Sequence, residues 1–538
     1  MTTSESQHRA ETAGPVVRTA TGAVRGRHED SLAVFRGIPF AEPPVGEARF
    51  QAPRPARPWS GTREAYAFGP PPPQDLGVQG NAVAAAGDPA DDDWLTVNVW
   101  TPEADRSAGR PVMVWIYGGS YKMGHAGQPS YDARRIARDG DVVVVTFNYR
   151  VGVEGFTHLD GAPANRGLLD QVAALEWVRE NIAGFGGDPE QVTVFGESAG
   201  AGSVASLLAM PRARGLFRRA VAQSLPGTFF SDELARDMAA ALAAEAGLKP
   251  TAADLATVDP RQLISAGQAL SAKMPGRIDS WGQAAPTVTP FAPIVDGDVL
   301  PTTPWQALTA GAARDVDLLV GHNRDEFRLF MAMGGMLGRI TDDRLTQTLR
   351  LLAPGGEAGE RAYRAALPDA SPSDLFERVQ TDWLFAMPTL HLAEAQLTGG
   401  GSAHVYELTL PAPGNGGVLG ACHALDIALL FGTYHAVVGG LLFAGAEVSA
   451  ETQELSALFR RSWTSFARTG DPGWPVYDTE ARLVRILDTA PTVTAYPHER
   501  RRLLWEGYDF PALPLLGQRL PMGSMSTCTG VPQIRSTS

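Results

Sequence analysis

The segment QVTVFGESAG, residues 191–200, joins an apolar run to a serine that lies between two glycines. The apolar run predicts a short buried strand, and residues 201–210 predict the helix that follows it. Between them, GESAG fits G-x-S-x-G, in which a sharp strand-to-helix turn lifts the serine hydroxyl above the sheet. The flanking glycines avoid the clashes that a Cβ would make with the neighbouring strand and helix. Ser198 is therefore the candidate nucleophile, with the amides and dipole of the helix N-terminus beside it.

A second glycine-rich segment supports this interpretation. G-x-S-x-G also occurs by chance, and the plain alternative is a glycine-rich turn with a solvated serine. Residues 111–117 predict a continuously apolar strand, which is typical of a sheet covered on both faces. This strand leads directly into GGSYKMG at residues 118–124. Such a loop is similar to the one that supplies oxyanion-binding N–H groups in lipases and esterases, although an ordinary strand-to-loop turn has the same glycines.

Composition excludes several classes of protein. The 538 residues are 44% hydrophobic and 20% charged, which are ordinary values for a globular protein. A net charge of −13 argues against a nucleic-acid surface. Residues 1–14 predict no secretory signal, and glycines interrupt the apolar stretch 428–446, which predicts buried core and no membrane span. The two cysteines, Cys422 and Cys528, favour a reducing cytoplasm.

The order of patterns predicts an α/β protein. Apolar strands at 141–148 and 192–195 enclose a helical pattern at 172–181, and this order produces parallel strands in one sheet. Alternating residues over 16–35 predict antiparallel strands that precede it. Residues 230–280 and 340–400 are helical in pattern. The sequence shows no internal repeats and no clear inter-domain linker.

Acyl transfer by a serine needs a base, a group that orients the base, and donors for the oxyanion. His423 is the predicted base, since it lies in a loop between a strand and a helix. Glu326 is the predicted orienting acid, since it follows a buried strand. The order Ser198, Glu326, His423 is that of the α/β-hydrolases. Asp325 is an alternative acid and His322 an alternative base, and each of these side chains also has an ordinary structural interpretation.

Taken together, these motifs resemble the type-B carboxylesterase family, which includes cholinesterases and bacterial p-nitrobenzyl esterases. The resemblance extends along nearly the whole chain, through GIPFAEPPVG at 37–46, LTVNV at 95–99, WIYGG at 115–119, NYRVG at 148–152, GLLDQ at 167–171, FGGDP at 185–189, FGESAG at 195–200 and FARTGDP at 466–472. It implies the α/β-hydrolase fold, a mostly parallel sheet flanked by helices, with cap helices at about 230–280 and 330–400. The single domain would occupy 16–515, between a disordered segment, 1–15, and a flexible tail, 516–538.

The resemblance also implies the site residues. The catalytic residues would be Ser198, Glu326 and His423. The oxyanion would be bound by the backbone N–H groups of Gly119, Ser120 and Ala199. Behind these would lie Glu197, near the histidine, and Gly118. Two structural ion pairs are implied, Arg49 with Asp92 and Arg150 with Asp170. The family needs no metal ion or organic cofactor.

Three positions depart from the family pattern. Ser120 stands where the family has a third glycine, and its Cβ can narrow the oxyanion hole or change the direction of one N–H group. Losing one such donor can lower the rate by roughly 10²–10³. Phe327 replaces the usual glycine after the acid. Trp94 replaces a cysteine, so an early disulfide is absent, which fits a bacterial or intracellular member. Lys122 comes just after the oxyanion residues Gly119 and Ser120, and we expect it to favour substrates that carry an anionic group.

The sequence thus predicts a serine hydrolase that cleaves small-molecule carboxylic esters through an acyl-Ser198 intermediate. It predicts no nucleic-acid or membrane partner, and it leaves the oligomeric state open. An amide or carbamate hydrolase, or an acyltransferase of secondary metabolism, would use the same residues, and Ser120 keeps these alternatives open. A non-catalytic binding module is a further alternative, since some relatives keep the fold as adhesion proteins.

Overall fold

The computed structural model describes residues 14–75, 92–287 and 289–517. Most of the predicted disordered segment and tail, together with Cys528, lie outside these ranges. The strands in chain order are β1 Val16–Arg18, β2 Ala23–Arg25, β3 Arg27–Glu29, β4 Leu32–Pro39, β5 Thr62–Glu64, β6 Thr96–Thr101, β7 Arg110–Ile116, β8 Val143–Phe147, β9 Gly187–Glu197, β10 Arg219–Gln223, β11 Phe230–Ser231, β12 Ile294–Val295, β13 Asp317–Asn323, β14 Ala403–Leu408, β15 Leu483–Leu487 and β16 Thr492–Ala495.

The helices surround these strands. In chain order they are α1 Arg134–Gly140, α2 Gly152–Phe156, α3 Arg166–Asn181, α4 Ala199–Ala209, α5 Asp232–Glu245, α6 Ala252–Leu255, α7 Pro260–Lys273, α8 Ile278–Trp281, α9 Pro304–Thr309, α10 Arg328–Met333, α11 Asp342–Leu352, α12 Glu357–Ala366, α13 Pro372–Thr381, α14 Met387–Thr398, α15 Leu425–Phe431, α16 Val437–Phe443, α17 Ala450–Thr469 and α18 Glu499–Leu504. A π-helical turn, Asp382–Ala386, joins α13 to α14. Within the described ranges, every helix is too short or too polar to span a membrane.

One large mixed sheet forms the centre of the structure. Its described strands lie in the order β16-β15-β14-β13-β10-β9-β7-β8-β6-β4-β3. The run from β15 to β8 is parallel throughout. Antiparallel strands flank this run, with β16 on one side and β6, β4 and β3 on the other. The predicted α/β class with a mostly parallel sheet is therefore confirmed.

Aromatic side chains fill the layer between the sheet and its helices. Trp115 on β7 contacts Phe195 on β9 and Phe431 at the end of α15, with ring centroids 4.9 and 5.1 Å apart. Contacts of this kind add about 0.5–1.5 kcal/mol each to the free energy gained by burying the rings. These contacts fix the position of β9 relative to β7 and α15, and β9 ends one residue before Ser198.

The predicted ion pairs had different outcomes. Arg150 and Asp170 are both fully buried and 2.7 Å apart, as predicted. The prediction for Arg49 is wrong, because its guanidinium lies 2.7 Å from Glu154 on α2, while Asp92 is exposed. The carboxylate of Glu154 is buried, and a buried charge must be paired with an opposite charge, so this carboxylate is the stronger partner.

The carboxyl ends of the parallel strands meet along one edge of the sheet. At this edge β7 runs into the glycine loop at 118–124 and β9 runs into Ser198. The segment that contains Glu326 follows β13, and the loop with His423 lies between β14 and α15. Ligands of α/β sheets bind at this edge. The fold therefore brings the predicted site residues to the same side of the molecule.

Candidate active site

Ser198 lies on the turn between β9 and α4 in an unusual backbone conformation. Its φ is 57° and its ψ is −126°, a combination that costs a residue other than glycine about 1–3 kcal/mol. Its N–H group donates to the carbonyl of Gln223 on the neighbouring strand, at 2.9 Å. A Cβ on Gly200 would lie 2.0 Å from the carbonyl oxygen of Ile116, so only glycine allows α4 to begin this close to β7.

The glycine loop lies against this turn. A Cβ built on Gly118 would be 3.0 Å from the Cβ of Ser198 and 3.1 Å from a carboxylate oxygen of Glu197. The next three residues all have positive φ, namely 114° at Gly119, 57° at Ser120 and 56° at Tyr121. This left-handed run turns the backbone sharply beside the serine.

Three backbone N–H groups beside Ser198 are available to a ligand. These are the groups that the sequence assigns to the oxyanion, on Gly119, Ser120 and Ala199. In the described part of the chain, none of the three donates a hydrogen bond to a protein acceptor. Backbone amides are normally paired within the protein, so three unpaired ones, two on the loop after β7 and one at the start of α4, are suited to binding a negatively charged oxygen.

His423 is held by Glu326. Its Nδ1 lies 2.6 Å from Glu326 Oε2, and its backbone N–H donates to the carbonyl of Glu326 at 3.3 Å. The other carboxylate oxygen of Glu326 accepts from the N–H of Asn323, at 2.7 Å. Glu326 is fully buried, so this pair is protected from water. The imidazole is therefore fixed at Nδ1, and its Nε2 faces the site.

The Nε2 atom of His423 faces Glu197. It lies 3.2 Å from Glu197 Oε1, the side chain that directly precedes Ser198 in the chain. Among the hydrogen bonds of the described residues, none joins Ser198 to His423. The structure therefore brings His423 together with both glutamates and places the serine next to one of them.

The charges around His423 raise its proton affinity. Burial alone lowers the pKa of His423, but the carboxylates of Glu197 and Glu326 outweigh it and raise the pKa to about 9. Burial raises the pKa of Glu197 to about 8, with the nearby charge of Asp426 acting in the same direction and that of His423 opposing it. Burial also raises the pKa of Asp426. Because these groups interact, they titrate as one cluster.

A hydrogen-bonded chain beneath the site connects this cluster to the strand-to-helix turn that carries Ser198. Gln223, whose carbonyl binds the N–H of Ser198, donates its side-chain amide to Asp426 at 2.6 Å. Its amide oxygen accepts from the indole of Trp463 at 3.0 Å. The Asn323 side chain donates to the carbonyl of Cys422 at 2.8 Å. Gln223, Asn323 and Trp463 were not predicted from the sequence, and no local motif distinguishes them from ordinary polar residues.

The geometry distinguishes between the alternative acids and bases. Asp325 forms ion pairs with Arg324 and Arg378, both at 3.0 Å, and accepts the N–H of Ala421 at 2.9 Å. The carboxylate of Asp325 is therefore paired with these groups and not with His322 or His423. His322 pairs through Nδ1 with the backbone carbonyl of Asn323, at 3.1 Å. Of the predicted acids and bases, Glu326 and His423 are therefore the two that the structure brings together.

Two phenylalanines cover the imidazole of His423. The ring centroid of Phe385 lies 4.5 Å from that of the imidazole, and the ring centroid of Phe330 lies 5.2 Å away. Phe385 belongs to the π-helical turn Asp382–Ala386, and such turns are frequent at functional sites. Phe327, which departs from the family pattern, packs against Phe330 with the two rings tilted and their centroids 5.3 Å apart. These rings form an apolar wall that keeps water from one face of the base.

A cavity of about 230 Å³ lies beside the glycine loop. Lys122 and Met123 form one side of it, and Leu263, Ile264 and Phe291 contribute an apolar wall. Burial lowers the pKa of Lys122, and the charge of Asp75 opposes this effect. Among the described residues, no group of three or more His, Cys, Asp or Glu side chains could hold a metal ion.

Comparison with known proteins gives a consistent result. The model of the Carboxylesterase family matches residues 13–502. The chain is 36% identical to the para-nitrobenzyl esterase of Bacillus subtilis (strain 168) over 502 residues, which cover 90% of this chain and 97% of that protein. It is 32% identical to the phenmedipham hydrolase of Pseudarthrobacter oxydans, with 88% of this chain and 95% of that protein covered.

Solved structures show the same similarity. The carboxylesterase EST55 of Geobacillus stearothermophilus superposes with a TM-score of 0.80 at 36% identity, covering 91% of this chain and 99% of that one. A structure titled PNB esterase superposes with a TM-score of 0.79 at 36% identity, covering 92% and 99%. The predicted α/β-hydrolase fold is therefore confirmed.

Proposed function

The chain belongs to the carboxylesterase family and is a carboxylic ester hydrolase, and we propose that Ser198, His423 and Glu326 carry out its reaction. The observation that supports this assignment best is the buried pair of His423 and Glu326. Its 2.6 Å hydrogen bond fixes the imidazole at Nδ1 and leaves Nε2 beside Glu197, the neighbour of Ser198. A nucleophile, a base and an orienting acid are the three groups that acyl transfer by serine requires.

The reaction proceeds in two steps. In the first, Ser198 Oγ attacks the ester carbonyl carbon while His423 Nε2 takes the hydroxyl proton. The N–H groups of Gly119, Ser120 and Ala199 stabilise the negative oxygen of the tetrahedral intermediate. The intermediate collapses as the carbon–oxygen bond to the alcohol breaks and His423 returns the proton to the leaving oxygen. In the second step water attacks the acyl-enzyme, again with His423 as base, and releases the acid and free Ser198.

The imidazole must turn from Glu197 toward Ser198 before the first proton transfer. Catalytic hydrogen bonds are often long or misaligned until substrate binds, so a base that faces a neighbouring carboxylate is compatible with this role. Glu326 holds the pivot of this rotation at Nδ1. Glu197 then lies next to the imidazolium that forms, and its negative charge stabilises that cation.

Two residues beside the proposed oxyanion hole adjust the site. Ser120 has a φ of 57°, which a glycine adopts without strain and which costs a serine about 1–2 kcal/mol. Lys122 lines the cavity beside the oxyanion loop and gives that cavity a cation. We propose a modest preference for esters with an anionic group. Lys122→Ala should reduce kcat/KM for a charged ester more than for a neutral one, and equal losses would refute this preference.

Substitution of the nucleophile tests the proposal. Ser198→Ala should lower p-nitrophenyl ester hydrolysis by more than about 10³ and abolish labelling by a fluorophosphonate. Ser206→Ala is the matched control, because Ser206 lies further along α4 and, among the described residues, its hydroxyl bonds only to the carbonyl of Gly202, at 2.7 Å. It should retain both properties. Unchanged hydrolysis in Ser198→Ala would show that another group is the nucleophile.

A substrate panel tests the alternatives that share this chemistry. Matched p-nitrophenyl esters, amides and carbamates should be compared at equal concentration, with Ser198→Ala as the background. We expect esters to react fastest. Faster turnover of amides or carbamates would favour the hydrolase alternatives, and faster product release on adding a second alcohol would favour acyl transfer.

A further inference from the structure

We propose that Gln74 is a positioning residue for the oxyanion hole, because its side chain fixes Gly124 and thereby directs the N–H groups of Gly119 and Ser120. The inference rests on the proposed function, since it concerns the same three amides. Gln74 lies outside every motif that the sequence analysis used, and it precedes the oxyanion loop by more than forty residues.

The side chain of Gln74 binds both backbone groups of one residue. Its Oε1 accepts from the N–H of Gly124 at 2.7 Å, and its Nε2 donates to the carbonyl of Gly124 at 2.8 Å. Nε2 also donates to the carbonyl of Pro72, at 3.1 Å, which fixes the amide to its own loop. This arrangement imitates the paired bonds between two antiparallel strands and holds Gly124 at two points.

Gly124 in turn packs against the first peptide of the oxyanion loop. A Cβ built on Gly124 would lie 2.7 Å from the carbonyl oxygen of Gly118 and 2.5 Å from the ring of Tyr117. Its φ of 118° also requires glycine. The carbonyl of Gly118 and the N–H of Gly119 belong to one planar trans peptide and point in opposite directions. A residue that fixes the carbonyl therefore also fixes the direction of the N–H group.

The second peptide is fixed within the turn itself. The carbonyl of Gly119 accepts from the N–H groups of Lys122 and Met123, at 3.1 and 3.2 Å. The same planarity then directs the N–H of Ser120 to the opposite side, away from the turn. Gly124 directly follows this turn, so a displacement of Gly124 moves the carbonyls of Gly118 and Gly119, and with them the N–H groups of Gly119 and Ser120.

Neither glutamate nor asparagine can replace glutamine at this position without losing contacts. Glutamate offers two acceptors, so its carboxylate would face the carbonyls of Gly124 and Pro72 without a donor. Asparagine has both groups but is shorter by one methylene. Methionine has a similar length and neither strong donor nor acceptor. The variants Gln74→Glu and Gln74→Met therefore remove the contact in two different ways.

The test compares catalysis with binding of an analogue that forms an oxyanion. A trifluoromethyl ketone adds to Ser198 and places a negative oxygen in the hole, whereas KM for a p-nitrophenyl ester also reflects contacts elsewhere. Gln74→Met should lower kcat by about tenfold to a hundredfold, approaching the loss of one oxyanion donor. The inhibition constant of the ketone should rise by a similar factor, while KM stays within about twofold.

Gln74→Glu adds a pH readout. A protonated carboxyl group has one donor and one acceptor and so imitates the amide. The activity of this variant relative to the wild type should therefore rise as the pH falls. A purely structural defect would give a constant ratio, and that result would overturn the inference.

Gln396→Met is the matched control. Gln396 is buried, whereas Gln74 is partly buried, and like Gln74 it donates to two backbone carbonyls, those of Ala313 and Val316, at 2.9 and 2.8 Å. These lie before β13, at the end of the strand away from the candidate site. Gln396→Met should lower the melting temperature and leave ketone inhibition unchanged. Wild-type kcat and ketone binding in Gln74→Met, together with an inactive Ser198→Ala, would refute the role of Gln74 and leave the proposed function intact.

Discussion

Among the described residues, two histidine–glutamate pairs have the same length, and only one of them lies beside the proposed nucleophile, Ser198. His423 lies 2.6 Å from Glu326, and His498 lies 2.6 Å from Glu407. The two acids are associated with neighbouring parallel strands. Glu326 lies just after β13, and Glu407 lies within β14. A short distance between an imidazole and a buried carboxylate is therefore insufficient to identify a catalytic base.

The pairs differ in the nitrogen that they use and in the charges around them. His423 binds its acid through Nδ1, so Nε2 faces the site, whereas His498 binds its acid through Nε2. Carboxylates surround His423 and raise its pKa to about 9. Burial lowers the pKa of His498, and although Glu407 opposes this, the positive charge of Arg501 reinforces it. We therefore expect one imidazole to act as the base and the other to act as a structural link.

Replacing the two histidines should separate these roles most strongly. His423→Ala should lower kcat by up to about 10⁶, the loss found when the base of a serine triad is removed. His498→Ala should keep kcat within a few-fold and lower the melting temperature, because it leaves the buried Glu407 without its partner. The measurement is steady-state hydrolysis together with thermal unfolding. Comparable losses of kcat in both variants would show that the two pairs are not functionally distinct.

The acids should give the next largest contrast. Glu326→Gln should lower kcat by about 10⁴, since an amide supports the wrong imidazole tautomer. Glu407→Gln should leave kcat near that of the wild type. Folded protein must be verified for each variant by circular dichroism before rates are compared. A near-wild-type rate in Glu326→Gln would return Asp325 to consideration as the orienting acid.

A third substitution tests the electrostatic part of the comparison. The negative charge of Glu197 raises the pKa of His423, so Glu197→Gln should lower that pKa. His423 accepts a proton only when neutral, and kcat/KM therefore falls as the pH drops through its pKa. The acid limb of the profile should move to lower pH by about one unit. Glu407→Gln should leave the limb in place, and a shift to higher pH in Glu197→Gln would contradict the assigned sign.

The smallest effect is expected beside His498. The buried hydroxyl of Tyr496 has no hydrogen-bond partner among the described residues, and its ring lies 5.7 Å from the imidazole of His498. Because an unpaired buried hydroxyl is unfavourable, Tyr496→Phe should keep or raise the free energy of unfolding, by at most about 1 kcal/mol. Urea unfolding measures this change. A clear loss of stability would mean that the hydroxyl is paired in solution.

The sequence predicted the parts of the molecule that local patterns determine. The strand that precedes Ser198, the glycine loop and the parallel sheet follow from apolar runs and glycines that lie within a few residues of each other. The order of Ser198, Glu326 and His423 predicted which strand ends would carry them, because parallel strands align their carboxyl ends. The buried pair Arg150–Asp170 also followed from the family pattern.

Contacts between distant loops could not be predicted in this way. The bonds of Gln74 to Gly124 and of Gln223 to Asp426 join segments separated by 50 and 203 residues. Glutamine has no periodicity or spacing that distinguishes such a partner from a surface residue. The prediction for Arg49 was wrong for the same reason, because the choice between Asp92 and Glu154 depends on how the loops fold over α2.

The π-helical turn Asp382–Ala386 makes the wall over His423 sensitive to a particular kind of mutation. A widened turn contains one residue more than regular α-helical winding, and each residue rotates the helix by about 100°. Deleting one residue there would restore regular winding between α13 and α14 and swing Phe385 off the imidazole, whereas most substitutions would leave its direction unchanged. We therefore expect single-residue deletions in this turn, and not most substitutions, to expose the imidazole of His423 to water.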